Sequence, residues 1–142
     1  MNAKEYLKQA RYLDVNIDTK LEQVTSLHEL ATKATSTISD MPGNTTRNTH
    51  RMEDIIIKIL MAENEINEDI DRLVNLKNEI HETINRIEDE EYRIVLTKRY
   101  LNFESWESIA ADMHCSIQNI YRIHSNALRK VKPPKTDENT AK

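Results

Sequence analysis

Two long series of apolar residues, spaced alternately four and three positions apart, constrain the fold of this chain more than any other feature. This spacing brings the residues of each series onto one stripe of an α-helix, and helices with such stripes pack along each other as coiled coils. The predicted stripe residues are Tyr6, Ala10, Leu13, Ile17, Lys20, Val24, Leu27, Ala31, Ala34 and Ile38 in the first helix, and Met52, Ile56, Ile59, Glu63, Ile66, Ile70, Leu73, Lys77, Ile80, Ile84 and Ile87 in the second.

The composition favours an all-α fold. The chain of 142 residues contains a single glycine and three prolines, whereas folds rich in β-strands need many tight turns, which these residues usually form. Charged residues make up 31% of the chain and aromatic residues only 5%, which is typical of long solvated helices with narrow apolar stripes. We therefore expect helices throughout.

A polar segment separates the two helical series. Residues 39–49, SDMPGNTTRNT, include Pro42 and the only glycine, Gly43, and this composition predicts a loop. Either Asn48 or Thr49 is suited to cap the second helix, because both have short polar side chains.

Two such helices joined by a loop of about a dozen residues favour an antiparallel hairpin. This arrangement places Tyr6 near Ile84, and Ile38 near Met52. Further apolar residues lie outside the two stripes, and one hairpin does not cover all of them. We favour the hypothesis that these residues form the interface of a symmetric homodimer. The alternative is that they pack locally on wider helix faces within one chain. These residues are Leu7, Leu21, Leu30, Ile55, Ile57, Leu60, Val74 and Leu76.

The chain changes character near Glu88, where we place a domain boundary. Residues 1–88 are predicted to form the helical hairpin and an oligomerisation region. Residues 89–132 are predicted to form a second helical domain, which begins with Asp89 as a helix cap. Residues 133–142 contain two prolines and few apolar residues, and they predict a disordered tail.

The second domain is predicted to contain three helices. The first covers residues 90–101. Ser105 caps the second helix and Ser116 caps the third, with a short turn between them that starts at His114. A helix, a short turn and a second helix form the helix-turn-helix unit, whose second helix enters the major groove of DNA. Near this turn we expect Trp106 and His124 to pack within the protein rather than to contact DNA. We expect Cys115 to be a small buried residue of the turn rather than a reactive thiol.

The third of these helices has no acidic residue, although the chain has a net charge of -4. Its polar residues share one side of the helix, opposite an apolar side. In the major groove, amides can pair with adenine and arginine with guanine, whereas a carboxylate would be repelled by phosphate. The predicted DNA-binding residues are Ser116, Gln118, Asn119, Tyr121, Arg122, Ser125 and Arg129.

Three segments in this region resemble region four of bacterial sigma factors. They are VLTKRY at residues 95–100, WESIAADM at 106–113 and SIQNIYRIHSNALRKV at 116–131. The resemblance implies a sigma-like helix-turn-helix. It places the DNA contacts of that family on Ser116, Gln118, Asn119, Tyr121 and Arg122. His114 stands where the family usually has glycine, so a left-handed or nearby backbone conformation is expected there.

The whole chain also resembles a family of phage and prophage proteins from Gram-positive bacteria. The shared features are the N-terminal coiled-coil region, the SDMP segment at Ser39–Pro42, RYL at Arg99–Leu101 and YRIH at Tyr121–His124. The resemblance implies a transcription regulator that binds double-stranded DNA and controls late genes. It also suggests recruitment or repositioning of the host RNA polymerase, rather than promoter opening by this protein alone.

Other classes of protein find less support in the sequence. There is no glycine-rich phosphate loop and no Ser-His-Asp arrangement, so we expect neither enzymatic activity nor a cofactor. One cysteine and the wide spacing of His28, His50 and His81 indicate no metal site. No apolar run approaches the roughly 18 residues of a membrane span, so a cytoplasmic location in the bacterial host is expected. A DNA-packaging component resembling a small terminase subunit and an RNA-polymerase-binding interaction protein remain alternatives.

Overall fold

The computed structural model describes residues 1–40 and 45–134, with side chains for residues 1–35 and 49–134. The described residues form helices and no strand, which confirms the predicted all-α fold. The helices are α1 (Ala3–Asp40), α2 (Thr45–Asn85), α3 (Glu90–Leu96), α4 (Trp106–Asp112) and α5 (Ile117–Lys130). A π-helical turn, Thr97–Leu101, continues α3 without interruption.

The predicted helix caps of the C-terminal region are confirmed. The Asp89 carboxylate accepts hydrogen bonds from the backbone N–H groups of Glu91 and Tyr92 at the start of α3. The Ser105 and Ser116 hydroxyl oxygens each accept one from the backbone three residues later, at the start of α4 and α5. Each cap satisfies a backbone donor that the first turn of a helix leaves unpaired, so local sequence sets these three boundaries.

The predicted bounds of the loop, residues 39–49, are wrong, and so is the predicted cap of the second helix. Helix α1 continues to Asp40 and α2 begins at Thr45, so Asn48 and Thr49 lie inside a helix instead of before it. In a helix interior, Asn and Thr cost only about 0.7 kcal/mol or less relative to alanine. Extending an existing helix adds one hydrogen bond per residue, and this offsets such a cost. The structure does not describe residues 41–44. Two predictions also lie outside the described residues: the pairing of Ile38 with Met52 and the disorder of residues 135–142.

The chain divides into two compact units. One consists of Met1–Tyr12 and Leu73–Lys142 and is called the C-terminal unit; the other, Leu13–Arg72, is called the stem unit. The C-terminal unit therefore contains the start of α1 and the end of α2 in addition to residues 89–132. The proposed division of roles at Glu88 stays a prediction.

In the stem unit, α1 and α2 each have a stripe of buried apolar residues and make polar contacts with each other. Ile17, Val24 and Ala34 of α1 are buried, as the sequence predicts. Asn16 donates a hydrogen bond to Asp69, and Lys20, one turn later in α1, contacts both Asp69 and Glu65, which lies one turn earlier in α2. This is the order of contacts that antiparallel helices make. The complete hairpin stays a prediction, because its connection lies outside the described residues.

Every second position of the predicted α2 stripe is wrong in the stem unit. Ile56 and Ile70 are 47% and 41% exposed, and Glu63 is exposed as well. The residues that precede them take their places, namely Ile55, Ala62 and Asp69. Both series keep Ile59 and Ile66 and differ only in whether a step of three or of four comes first. The observed series is favoured because it removes Glu63 from the stripe and gives the partly buried Lys20 a carboxylate partner, Asp69.

The first core of the C-terminal unit joins four helices. Tyr6, Leu7 and Ala10 of α1 pack with residues near the end of α2, with the α3 segment and with the end of α5. The contributions of those elements are Ile80, Ile84, Ile87, Leu96, Tyr100, Ala127 and Val131. The predicted proximity of Tyr6 and Ile84 is confirmed, and the Tyr6 hydroxyl also lies 3.4 Å from the hydroxyl of Thr83. Burying one such aliphatic side chain contributes about 1.5–3 kcal/mol, so the start of α1 is firmly held here.

A second, smaller core holds α3, α4 and α5 together. It consists of Val95, Ile109, Ala110, Ile120 and Ile123, with Trp106 and Met113 packed against it. Of the apolar residues outside the predicted stripes, Leu7 and Ile55 are buried and Leu76 is partly buried, whereas the others are exposed. The exposed ones are Leu21, Leu30, Ile57, Leu60 and Val74. Local packing therefore accounts for part of this set, and the homodimer stays a prediction.

Candidate nucleic-acid interface

Helix α5 has one buried side and one exposed polar side. Ile120, Ile123, His124 and Ala127 are buried against the two cores. Of the predicted DNA-binding residues, Ser116, Gln118, Tyr121, Arg122, Ser125 and Arg129 are exposed and Asn119 is half-buried. The structure therefore brings all seven onto one helix and its cap. No acidic side chain belongs to α5, so its exposed side carries only neutral and basic groups.

Asn119 and Arg122 form a pair on the exposed side of α5. The Nε and Nη2 atoms of Arg122 both donate hydrogen bonds to Oδ1 of Asn119, at 3.1 and 2.8 Å. This arrangement engages the only acceptor of the amide side chain and leaves its N–H donors. The pair therefore presents donors, which suits the two acceptors of a guanine edge or a phosphate. Reading adenine through Asn119 would first require this pair to separate.

Trp106, the first residue of α4, connects the surface of α5 to the preceding segment. Its ring packs edge-on against Tyr121, with centroids 5.4 Å apart, and against His124 at 4.6 Å. The guanidinium of Arg99 lies 4.3 Å from the centre of the same ring. The packing role predicted for Trp106 is confirmed, and the indole fixes the position of Tyr121 at the edge of the exposed side.

His124 is buried, as predicted, and hydrogen-bonds to Tyr100. Its Nε2 lies 2.6 Å from the Tyr100 hydroxyl, and only 7% of the residue is exposed. Burial, together with the positive charges of Lys4, Arg99 and Lys8, lowers the pKa of His124 to about 4. Burial likewise raises the pKa of the Tyr100 hydroxyl to about 12. Both groups are therefore neutral near pH 7, and this pair is part of the scaffold beneath α5.

The turn between α4 and α5 has the backbone that the sequence predicts. His114 has a φ angle of 54°, in the left-handed region. The amide of Cys115 donates to the carbonyl of Ala110, so the end of α4 is closed by a backbone hydrogen bond of 3.1 Å. Cys115 itself is half-buried against the second core, which makes it less buried than expected, because the turn lies at the surface.

Two acidic side chains next to this region are held by a lysine. Nζ of Lys98 lies 2.9 Å from the carboxylate of Asp112 and 3.6 Å from that of Glu104. The hydrogen bond from Lys98 lowers the pKa of Asp112 and raises the pKa of Lys98. Lys98 thereby compensates charges that would otherwise oppose an anionic ligand, and it ties α4 to the π-helical turn.

Phe103 forms a feature that the sequence did not indicate. Its φ angle is 57°, a left-handed conformation that costs a residue with a Cβ about 1–2 kcal/mol. In this conformation its ring lies 5.2 Å from the guanidinium of Arg11 and 4.6 Å from the ammonium of Lys77. These cations come from α1 and α2, far from Phe103 in the sequence, so no local pattern could have revealed the cluster.

A cavity of about 360 Å³ lies beside Phe103 and is called the Phe103 cavity. Its lining combines three cationic side chains with three aromatic side chains and one serine. The residues are Lys8, Arg11, Tyr12, Arg99, Tyr100, Phe103 and Ser105. All of them belong to the described part of the C-terminal unit, and none carries a carboxylate. The cavity therefore has the electrostatic character of an anion-binding surface.

The described residues show neither a metal site nor a membrane-spanning helix. Within residues 1–40 and 45–134, no three His, Cys, Asp or Glu side chains form a group that could hold a metal ion. His28, His50 and His81 are exposed. Across these residues every helix is too short or too polar to span a lipid bilayer.

Comparisons with known proteins place the chain in a family. The matching family is described as "Protein of unknown function (DUF1492)", and the match covers residues 33–132. The comparison with curated proteins found no match, and neither did the comparison with solved structures. The matched segment extends from the last part of α1 to the residues that follow α5, which is more than half of the chain. The chain therefore belongs to this family.

Proposed function

We propose that this protein is a sequence-specific DNA-binding transcription regulator, with α5 as the helix that reads the major groove. The observation that carries the proposal is the exposed side of α5. It combines amides, hydroxyls and arginines without a carboxylate, while the opposite side is buried and fixes its orientation. An outward helix that only solubilises the protein has no reason to exclude acids, particularly in a chain with a net charge of -4.

The individual side chains suggest a division of tasks. Gln118 and Arg122 lie in the first half of α5, the half that enters the groove in helix-turn-helix units. Arg122, held by Asn119, suits guanine, and the exposed amide of Gln118 suits adenine. Arg129 lies in the last turn of α5. At that end a basic side chain is better placed for the phosphate backbone than for bases.

The resemblance to sigma region four supports the same assignment and extends it. It suggests that the output is recruitment or repositioning of the host RNA polymerase, in control of late phage genes in the bacterial cytoplasm. A homodimer fits this role because two copies of α5 would read two half-sites of a symmetric operator. The apolar residues still exposed on α1 and α2 are the candidates for its interface.

Selection from random double-stranded DNA tests the proposal directly. The purified full chain is compared with Arg122→Ala, and Arg51→Ala serves as a matched control because Arg51 is an exposed arginine of the stem unit. We expect one enriched motif with wild type and with the control, and a changed or weaker motif with Arg122→Ala. The symmetry of the motif reports on the dimer. Absence of enrichment at low salt would refute sequence-specific recognition.

The same samples separate the alternatives. Assembly into a ring of eight or more subunits, without a preferred sequence, would point to a DNA-packaging component. Retention of RNA polymerase by a protein that has no DNA preference would point to an interaction protein. Either result would replace the proposed function.

A further inference from the structure

We propose that the Phe103 cavity is a second DNA contact, at which Lys8 and Arg11 of α1 together with Arg99 bind phosphates of the duplex that α5 reads. The inference rests on the proposed function and deepens it. It assigns a binding role to the start of α1, which the sequence indicates only as part of a coiled coil. The ligand class is the phosphodiester backbone, independent of base sequence.

The charge of the cavity favours an anionic ligand. Three cationic side chains from two distant parts of the chain, Lys8, Arg11 and Arg99, line one space of about 360 Å³, and no residue of its lining carries a carboxylate. The carboxylate of Glu104, which lies next to the lining in the sequence, is engaged elsewhere, since it contacts Lys98 and the hydroxyl of Ser108. The residues that line the cavity therefore contribute positive charge and no negative charge.

The two arginines of the cavity are held by aromatic rings. The guanidinium of Arg11 lies over the Phe103 ring, and that of Arg99 lies over the Trp106 ring. Arg99 also donates from Nη1 to the carbonyl of Glu104, at 2.9 Å. Stacking uses the face of a guanidinium, whereas phosphate is bound by the N–H groups along its edge, so the two interactions are compatible. Both arginines are thus preorganised.

The backbone of Phe103 supports the same conclusion. A left-handed conformation at a non-glycine residue persists only where the surroundings hold it, and such residues cluster at functional sites. Here the unfavourable conformation places an aromatic ring between Arg11 and Lys77. A loop that only connected α3 to α4 would be served as well by a relaxed backbone.

The cavity also lies close to the exposed side of α5. Trp106 contacts Arg99 of the cavity and also Tyr121 of α5. One side chain therefore joins the two surfaces, and Ser105, the cap of α4, lines the cavity itself. In helix-turn-helix proteins the helix before the recognition helix crosses the DNA backbone. A duplex seated on α5 thus brings backbone phosphates to the start of α4 and to the cationic side chains beside it.

The test compares two double variants that remove the same charges. Lys8→Gln with Arg11→Gln alters the cavity, and Lys58→Gln with Arg51→Gln is the matched control in the stem unit. Helix content and thermal unfolding are checked for both. Binding is then measured at several salt concentrations, on the selected duplex and on a duplex of scrambled sequence. Lys8→Gln alone is included because replacing Arg11 also removes its contact with the Phe103 ring. The single variant leaves that contact in place.

We expect the cavity variant to bind both duplexes more weakly, by about the same factor. Log affinity falls linearly with log salt, and each lost phosphate contact makes this slope less negative by about 0.9. Each lost contact also weakens binding about eightfold at 0.1 M salt. The slope of the double variant should therefore be less negative than that of wild type by about 1.8, and the slope of the single variant by about half as much. The control variant should keep both the wild-type slope and the wild-type affinity.

Three results would overturn the inference, and they show whether the proposed function fails with it. If the cavity variants match the control in slope while Arg122→Ala alters the enriched motif, the cavity does not bind phosphate and the proposed function stands. A loss on the selected duplex alone, without a change in slope, leads to the same conclusion. If wild type binds neither duplex at low salt, the proposed function fails and this inference fails with it.

Discussion

Lowering the pH from about 7.5 to about 5 tests the buried pair of His124 and Tyr100 beneath α5. The pKa of His124 is lowered to about 4 by burial and by neighbouring cations, so the folded protein keeps this imidazole neutral over nearly the whole interval. In the unfolded chain the group returns to its ordinary pKa of 6.5 and takes up a proton as the pH falls. Acid therefore stabilises the unfolded state, and the free energy of unfolding decreases.

The size of the effect follows from the pKa of His124 in the folded protein and in the unfolded chain. A difference of one pH unit between these two pKa values corresponds to about 1.4 kcal/mol, and protonation of the unfolded chain develops over about 1.5 pH units between pH 6.5 and 5. The expected loss of stability between pH 7.5 and 5 is about 2 kcal/mol. It grows to about 3 kcal/mol near pH 4 and then levels off, because the folded protein begins to bind the same proton.

Urea unfolding followed by tryptophan fluorescence measures this loss. The chain has one tryptophan, Trp106, and its ring lies 4.6 Å from that of His124, so the signal reports on the unit that contains the pair. His124→Gln is the comparison, since it retains the other four histidines and their titration. We expect the wild-type free energy of unfolding to fall by about 2 kcal/mol more than that of the variant. Equal losses in the two proteins would refute the reasoning.

Three further changes test other features of the fold. His114→Gly should stabilise the protein by about 0.5–1 kcal/mol in urea unfolding, because glycine adopts the left-handed backbone without strain; a loss of stability would contradict this account of the turn. Asp69→Ala should destabilise the stem unit by about 2 kcal/mol in unfolding followed by circular dichroism, and adding Lys20→Leu should restore part of it, whereas additive losses would argue against their pairing. Leu7→Ala should cost about 2–5 kcal/mol and Leu21→Ala less than about 0.5, since only the first side chain is fully buried; similar costs would show that Leu21 is covered in solution.

The sequence predicted best what local interactions determine. The three capped helix starts in residues 89–132 depend on one side chain and a backbone amide a few residues away, and all three were found. The two sides of α5 follow from spacing within a single helix. The left-handed backbone at His114 followed from its place in a motif rather than from its own preference. In each case the information lies within a short stretch of the chain.

Features that depend on contacts between distant segments were predicted less well. Every second residue of the α2 stripe in the stem unit was predicted wrongly, because the sequence of α2 alone fits either order of the steps of three and four. The observed order is favoured by a contact with another helix, that of Lys20 with Asp69. The left-handed conformation of Phe103 was missed because its stabilising neighbours, Arg11 and Lys77, come from other helices. The loop limits failed for another reason, since weak unfavourable propensities do not stop a helix that is already formed.

The packing of the first core has a consequence for how α5 can be studied. Ala127 and Val131 on its buried side share that core with Tyr6, Leu7 and residues near the end of α2. A fragment limited to residues 89–132 would lack these partners and would expose the apolar side of α5, so its orientation would no longer be fixed. The orientation of the exposed side of α5 therefore depends on the start of α1, and the same helix carries two of the cations of the Phe103 cavity, Lys8 and Arg11.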